Sequence, residues 1–380
     1  MSRIPLVSIA LILDACAAIA PIQSAPAPVP FPGQVETTVF LIGDAGLPAP
    51  NGEPVLIALA RALREAGGER VVVFLGDNIY PAGMPDSAAR NRAEAERRLM
   101  AQVDVLRETG ATGYFLPGNH DWAKLAPEGW DAVRRQQRFI EQQPYRGAMF
   151  VPPDGCPGPV AREAGSALLL VFLDTQWWLH QNAKPRHPTS SCPADSETEV
   201  ADSLHAILGR AVGRHVIVAA HHPLRSAGPH GGYFPWTDHI FPLRHAADWL
   251  WVPVPLIGSV YPIVRMMGAI PQDLAHEHYA HMRLALSAAL APNRPLVYAA
   301  GHEHSLQVFG PDAATQFEVV SGGGYYGHTS PTTFREGMLF ARTASGFMRL
   351  EAWKDGRVRL GVVTVDRAGN GTEEFSRWLK

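Results

Sequence analysis

Short apolar runs, each stopped by glycine or a polar residue, punctuate the chain. They are "TTVFLIGD" ending at Asp44, "VVVFLGD" ending at Asp77, "GYFLPGNHD" around Asn119, "LLLVFLDT" ending at Thr175, "HVIVAAHH" ending at His222, "PLVYAAGHEH" ending at His304 and "FEVVSGGG" from Phe317. Uninterrupted runs of this length predict strands buried on both faces. Stretches of helical spacing lie between some of them, such as "EPVLIALARALREAG" and "SAARNRAEAERRLMAQVDVLRETG". Strand and helix in alternation predict an α/β layered sheet. Ligands of such sheets gather at the carboxyl ends of the strands, which is where every polar motif above falls. Near the end, "GFMRLEAWKDGRVRLGVVTVD" predicts a hairpin turning at Lys354-Asp355-Gly356.

Two stretches break this pattern. From Trp249 to Val264, "WLWVPVPLIGSVYPIV" runs 16 residues without a charge. It is too short for a comfortable membrane span, and Pro253, Pro255 and Pro262 interrupt it. It predicts an insertion at about 240–291 that packs over the site as a lid, with membrane-interface contact as the alternative. The following "PQDLAHEHYAHMRLALSAAL" predicts a helix whose His276, His278 and His281 lie on a solvated or core-facing side. At the amino end, Arg3 precedes the apolar run Ile4 to Leu13, which suits the core of an export signal. "LDAC", ending at Cys16, resembles a bacterial lipoprotein cleavage box. Asp14 is an unusual occupant there, so ordinary cleavage near "ACAA" and a cytosolic tail both stay open. Residues 17–35 are Pro/Ala-rich and predict a stiff tether; residues 36–380 are read as one domain that carries the insertion.

Composition narrows the function classes. With 46% hydrophobic and 18% charged residues among 380, the chain is globular. A net charge of -3 gives no sign of a nucleic-acid surface, and "RRQQR" from Arg134 to Arg138 reads as the wet face of a helix. The expected location is the periplasm or cell envelope, with membrane contact only through an anchor at Cys16. The remaining cysteines, Cys156 and Cys192, both sit in Pro/Gly/Ser-rich loops. In an oxidising compartment they are candidates for a disulfide, two free thiols being the alternative.

The chemistry lies in five strand ends: "GDAG" (Asp44), "GDNIY" (Asp77, Tyr80), "GNHD" (Asn119, His120, Asp121), "AAHH" (His221, His222) and "GHEH" (His302, His304). Any one of them reads as a turn or a core histidine. As an ordered set they resemble the calcineurin-like metallophosphoesterases, and the tyrosine of "GDNIY" narrows the resemblance to the purple acid phosphatase branch. It covers roughly Thr37 to Gly324 and implies a four-layer α-β-β-α sandwich of two mixed sheets. It also implies two metal ions, one held by Asp44, Asp77, Tyr80 and His304 and the other by Asp77, Asn119, His221 and His302, with Asp77 shared. A phenol coordinates as phenolate only beside a strong Lewis acid, which points to Fe(III) in the first site. Neutral Asn and His ligands suit divalent iron, zinc or manganese in the second. The implied reaction is in-line attack on phosphorus by a metal-bound hydroxide. His120 would face the phosphate with Asp121 orienting it, and His230 in "SAGPHGG" would bind the phosphate or protonate the leaving alcohol. His222 is left outside the ligand set, and Asn78 is read as shaping the turn. Trp177 and Trp178 are read as packing, a wall of the substrate entrance being the alternative, and Tyr325 and Tyr326, in the glycine-rich "SGGGYYG", are left unassigned as a border of the pocket. The readings that follow are an exported phosphomonoesterase acting on a small phosphate ester, a phosphodiesterase acting on nucleotides or lipid head groups, and a surface protein that binds metal or phosphate without turnover.

Overall fold

Along the first strand Val39 and Leu41 turn one way and Phe40 and Ile42 the other, and the two sets enter different cores. That alternation builds the layers. Val39 and Leu41 join Val71, Val73, Leu170, Ile217, Val297 and Val319 in a core between two sheets. Phe40, Ile42 and Phe74 face outward and are covered by Leu59, Leu63, Leu99 and Val103 of helices.

The computed structural model describes residues 34–245, 249–254 and 257–380. The expected export signal, Cys16 and the tether up to residue 33 lie outside the described residues. One sheet has the order β14-β13-β12-β1-β2-β3-β4 and the other β11-β9-β10-β8-β7-β6-β5. In chain order the strands are β1 (Val35–Ile42), β2 (Glu69–Phe74), β3 (Thr112–Phe115), β4 (Ala148–Phe150), β5 (Val160–Ala164), β6 (Leu168–Phe172) and β7 (His215–Ala219). They continue with β8 (Val297–Ala300), β9 (Leu306–Phe309), β10 (Phe317–Ser321), β11 (Met338–Arg342), β12 (Gly346–Trp353), β13 (Val358–Val365) and β14 (Gly371–Trp378). Helices α1 (Pro54–Glu65), α2 (Arg92–Thr109) and α3 (Gly129–Glu141) belong to the first half. The second half holds α4 (Thr175–Leu179), α5 (Glu197–Arg210), α6 (Trp236–Ile240), α7 (Val260–Met266) and α8 (Glu277–Leu290). Both sheets are mixed, as the expected sandwich requires.

Register places the site. Ile42 pairs with Phe74, and Phe74 with Phe115, so the parallel strands β1, β2 and β3 end flush. In the other sheet Ala219 pairs with Ala299 and Val320 with Ala300. The loops carrying Asp44, Asp77, Asn119, His221 and His302 therefore leave from one edge of the sandwich. The Gly43 N–H donates to Ser321 O at 2.7 Å, which ties the two sheets together at that edge.

The hairpin is present as β12 and β13, with the Gly356 N–H closing its turn on Trp353 O. The predicted helix after Ile270 is shorter than expected: Pro271 to His276 precede it and α8 starts at Glu277. The uncharged stretch at Trp249 contributes loop, one short turn and α7. Cys156 and Cys192 are bridged, with Cα atoms 5.6 Å apart across a separation of 36 residues. Closing a loop of that length in the unfolded chain contributes about 3–4 kcal/mol. Replacing both cysteines by serine should lower unfolding free energy by about 3 kcal/mol in urea titration. An unmoved midpoint would refute that.

Candidate metal centre

Glycines open the space in which the polar side chains meet. A Cβ on Gly118 would lie 2.3 Å from Asp77 Oδ1, and one on Gly301 would lie 2.7 Å from Asp44 Oδ2. The ligand candidates themselves take the left-handed backbone that side chains avoid: φ is 61° at Asp44, 55° at Asp77 and 68° at His302. Each such residue costs about 1–2 kcal/mol, and strain of this kind concentrates at functional sites.

Two groups of atoms converge. Tyr80 Oη is 3.1 Å from both Asp44 Oδ1 and His304 Nε2, and His304 Nε2 is 3.4 Å from Asp44 Oδ1. In the second group Asn119 Oδ1 is 2.9 Å from His221 Nε2 and 3.2 Å from His302 Nδ1, with the two ring nitrogens 3.3 Å apart. Asp77 links them, its Oδ1 lying 3.6 Å from His221 Nε2. Asp44, Asp77 and His221 each present an atom within 4.8 Å of the others.

Tautomers decide what the second group can do. His221 Nδ1 donates to Leu75 O at 2.8 Å, and His302 Nε2 donates to Gln272 O at 2.8 Å. A carbonyl oxygen only accepts, so these nitrogens carry the protons. The opposite nitrogens, His221 Nε2 and His302 Nδ1, are then lone pairs, and they face each other and the oxygen of Asn119. Burial keeps His302 neutral by pushing its pKa well below the usual value, and the neighbouring histidines add to the effect. Three acceptors at 2.9–3.3 Å with no proton among them repel, and a cation relieves that. Atoms sharing one ion at about 2.0–2.2 Å stand roughly 2.9–3.5 Å from one another, which matches both groups.

The first group behaves differently. Burial and the charges of Asp44 and Asp77 push the Tyr80 phenol far up. Only a strongly charged cation would draw off its proton. At His304 burial disfavours the imidazolium, but the hydrogen bond and charge of Asp44 outweigh it and raise the pKa.

His120 lies beside this centre, its Nε2 3.8 Å from Asp77 Oδ2, and burial lowers its pKa despite the Asp77 charge. The expected orienting role of Asp121 is not what the structure shows. Asp121 is fully buried and accepts from the N–H groups of Gly118, Asn78 and Ile79 and from the Asn78 side chain, at 2.8–3.1 Å. Its carboxylate satisfies the turn donors of two ligand loops, and the bond that orients His120 comes from Pro81 O, 2.7 Å from Nδ1. Asp121 is a clamp between loops, and Asn78 is part of that clamp.

His230 packs against His302 with ring centroids 4.1 Å apart and the planes tilted by 36°, and its Nδ1 is 2.9 Å from Asp273 Oδ1. Asp273 is buried and paired with Arg265, whose Nε donates to Oδ2 at 2.9 Å. Sequence reasoning overlooked Gln272, Asp273 and Arg265. All three come from the long β7–β8 connection, so this segment supports the site through His302 and His230. Gln272 also accepts from His222 Nε2 at 2.8 Å through its side-chain oxygen, while His222 Nδ1 meets Thr175 Oγ1 at 2.8 Å. With both nitrogens engaged, His222 is a wall of the site. Trp177 and Trp178 are buried packing. Tyr325 stands 5.9 Å from Tyr80, ring to ring, while Tyr326 is exposed.

The family model for calcineurin-like phosphoesterases matches residues 37–329. The chain belongs to the calcineurin-like phosphoesterases. It is thus a metal-dependent phosphoric ester hydrolase by family, and the phosphoesterase has relatives of the same fold among solved structures. GAP50, the anchor in the inner membrane complex of Plasmodium, superposes with TM-score 0.53 at 14% identity, over 90% of this chain and 88% of that one. A purple acid phosphatase, PPD1 from yellow lupin (Lupinus luteus) seeds, superposes with TM-score 0.55 at 15% identity, over 92% of this chain and 55% of that one. Likeness at this identity concerns the fold alone. Among curated proteins none matches the sequence.

The clamp yields a prediction. Removing a buried carboxylate that holds several N–H groups leaves those donors unpaired. Asp121→Ala should cost about 3 kcal/mol or more in urea unfolding and weaken metal retention measured by elemental analysis. A variant as stable and as metal-loaded as the parent would remove the clamp from the account.

Proposed function

We propose that the phosphoesterase is a phosphomonoesterase of the purple acid phosphatase type. The observation that carries this reading is the meeting of Asp44, Tyr80 and His304 at 3.1–3.4 Å beside the acceptor group of Asn119, His221 and His302. The first set with Asp77 would hold Fe(III), and the second set with Asp77 a divalent iron, zinc or manganese ion. When bound, such a pair supplies Lewis acidity and an acidified water close to phosphorus.

The chain's own groups do the rest. Asp77 lies between the two sets and fixes their spacing. His120, held through Nδ1 by Pro81 O, offers Nε2 to an oxygen of the phosphoryl group. His230, held through Nδ1 by Asp273, is the candidate proton donor to the departing alcohol. The pairing of Asp273 with Arg265 keeps that carboxylate in place, so His230 is oriented from a rigid neighbour and not from a mobile loop. Fold alone does not imply turnover, since GAP50 is described as an anchor; the reading rests on the donor set.

A substrate panel with metal analysis tests the proposal. Nitrophenyl phosphate should be hydrolysed in preference to its bis-ester, and Asn119→Ala and His120→Ala should each lower kcat by about a hundredfold. Turnover of the bis-ester alone would replace the monoesterase reading with the diesterase one, and unchanged rates in both variants would move catalysis elsewhere. Protein purified without chelators should be violet through a tyrosinate–iron band that Tyr80→Phe bleaches. A colourless, fully active zinc enzyme would end the purple assignment.

The His230 role makes a separate prediction. Asp273→Asn should lower kcat about tenfold or more on alkyl phosphates, whose alkoxide needs a proton. Nitrophenyl phosphate, whose leaving group departs without one, should lose no more than about threefold. Equal losses on both substrates would assign Asp273 to structure only.

A further inference from the structure

Helix α7 is inside out. Its one charged residue, Arg265, is buried against Asp273, while Val260, Ile263, Val264 and Met266 are exposed. A helix on a water-facing surface arranges these the other way round. The inversion extends along the segment: twelve of the seventeen large exposed hydrophobic side chains among the described residues lie between Trp236 and Met267. A concentration of that kind marks an interaction surface, whereas scattered single residues do not.

We propose that this face of the β7–β8 connection seats the phosphoesterase on a lipid bilayer. Its chemistry is that of the membrane–water interface. Trp236, Trp249 and Trp251 are 57%, 77% and 54% exposed, Tyr261 is exposed as well, and no charge occurs from Trp249 to Val264. Indole and phenol rings prefer the headgroup level, and aliphatic side chains enter just below it. A protein partner would ordinarily be met with a polar, charged rim. The segment is too short and too interrupted by proline to span, and no helix among the described residues is long and apolar enough to cross a membrane, so it lies on the surface. The chain outside the described residues agrees with this occupant. It carries the apolar run Ile4 to Leu13, followed by a Pro/Ala-rich stretch up to Gly33 that bridges at most about 60 Å. A chain held at a membrane by its first residues keeps this face within reach of the same bilayer. The seat also adjoins the chemistry, since Arg265 of α7 pairs with Asp273, which holds His230. The inference does not depend on which phosphate ester is cleaved.

The tryptophans provide the test. Residues 1–33 contain none, and of the nine in the chain the three that are most exposed all lie on the proposed face. Full-length protein is mixed with phosphatidylcholine vesicles whose acyl chains carry bromine, and tryptophan emission is followed. The expected result is a blue shift with quenching that survives high salt, because the contact is apolar. Trp249→Ser with Trp251→Ser should weaken vesicle partitioning about tenfold while leaving nitrophenyl phosphate hydrolysis unchanged. Co-sedimentation without quenching would mean attachment through residues 1–33 alone and overturns the proposal. So does failure to co-sediment, or a blue shift produced without lipid by raising protein concentration, which would mark self-association. Asn119→Ala should keep full quenching, so loss of hydrolysis and loss of seating are read apart.

Discussion

Lone pairs held at close quarters are the constraint around which the upper edge of this sandwich is organised. His221 Nε2, His302 Nδ1 and Asn119 Oδ1 converge because the opposite nitrogen of each ring is committed to a backbone carbonyl. Leu75 O and Gln272 O therefore matter as much as the rings, since they fix which nitrogen is bare. Without those two carbonyls either ring could turn a proton inward and quench the repulsion with an ordinary hydrogen bond. The arrangement is unfavourable by itself and becomes favourable around a cation, so folding and metal retention are coupled at this edge.

Holding repelling groups together requires stiff supports, and the ligands supply them to one another. Asp44 Oδ2 accepts from the His302 N–H at 2.8 Å, and Asp77 Oδ1 accepts from the His120 N–H at 2.8 Å. Each carboxylate thus fixes the backbone of a loop from a different strand; Asp44 turns its other oxygen, Oδ1, to Tyr80 and His304, while Asp77 uses the same Oδ1 to face His221. Asp121 adds a third cross-link between the Asn78 and Gly118 turns. The left-handed conformations at Asp44, Asp77 and His302 persist because these bonds over-determine them.

What could be read from the sequence, and what could not, follows from this division. Asp44, Asp77, Asn119, His221 and His302 follow strands whose apolar runs are continuous, so both the strand and its ligand stand out in one stretch of chain. Edge strands gave no such signal: β5 and β14 are only partly buried and read as "VAREA" and "GTEEFSRW". The carbonyls of Pro81 and Gln272 have no side-chain signature, because any residue could supply them. Asp121 follows His120 in the chain, which suggests a pair, yet turn geometry sends its carboxylate to the backbone of neighbouring turns. Asp273 and Arg265 meet His230 only through the path of the β7–β8 connection, and no spacing in the sequence encodes that path.

The Arg265–Asp273 pair explains why an apolar face and a polar centre occur on one segment. Burying a guanidinium and a carboxylate seldom raises stability over an apolar packing of the same volume. The pair's contribution is positional. Arg265 turns the polar side of α7 inward, which leaves Val260, Ile263, Val264 and Met266 outside, and the same ion pair fixes the carboxylate that His230 leans on. A hydrophobic residue at 265 would let α7 rotate its apolar side into the protein, losing the exposed face and the support of His230 in one step. The exposed apolar surface is therefore a structural counterpart of the ordered histidine, since one buried charge sets the orientation of both.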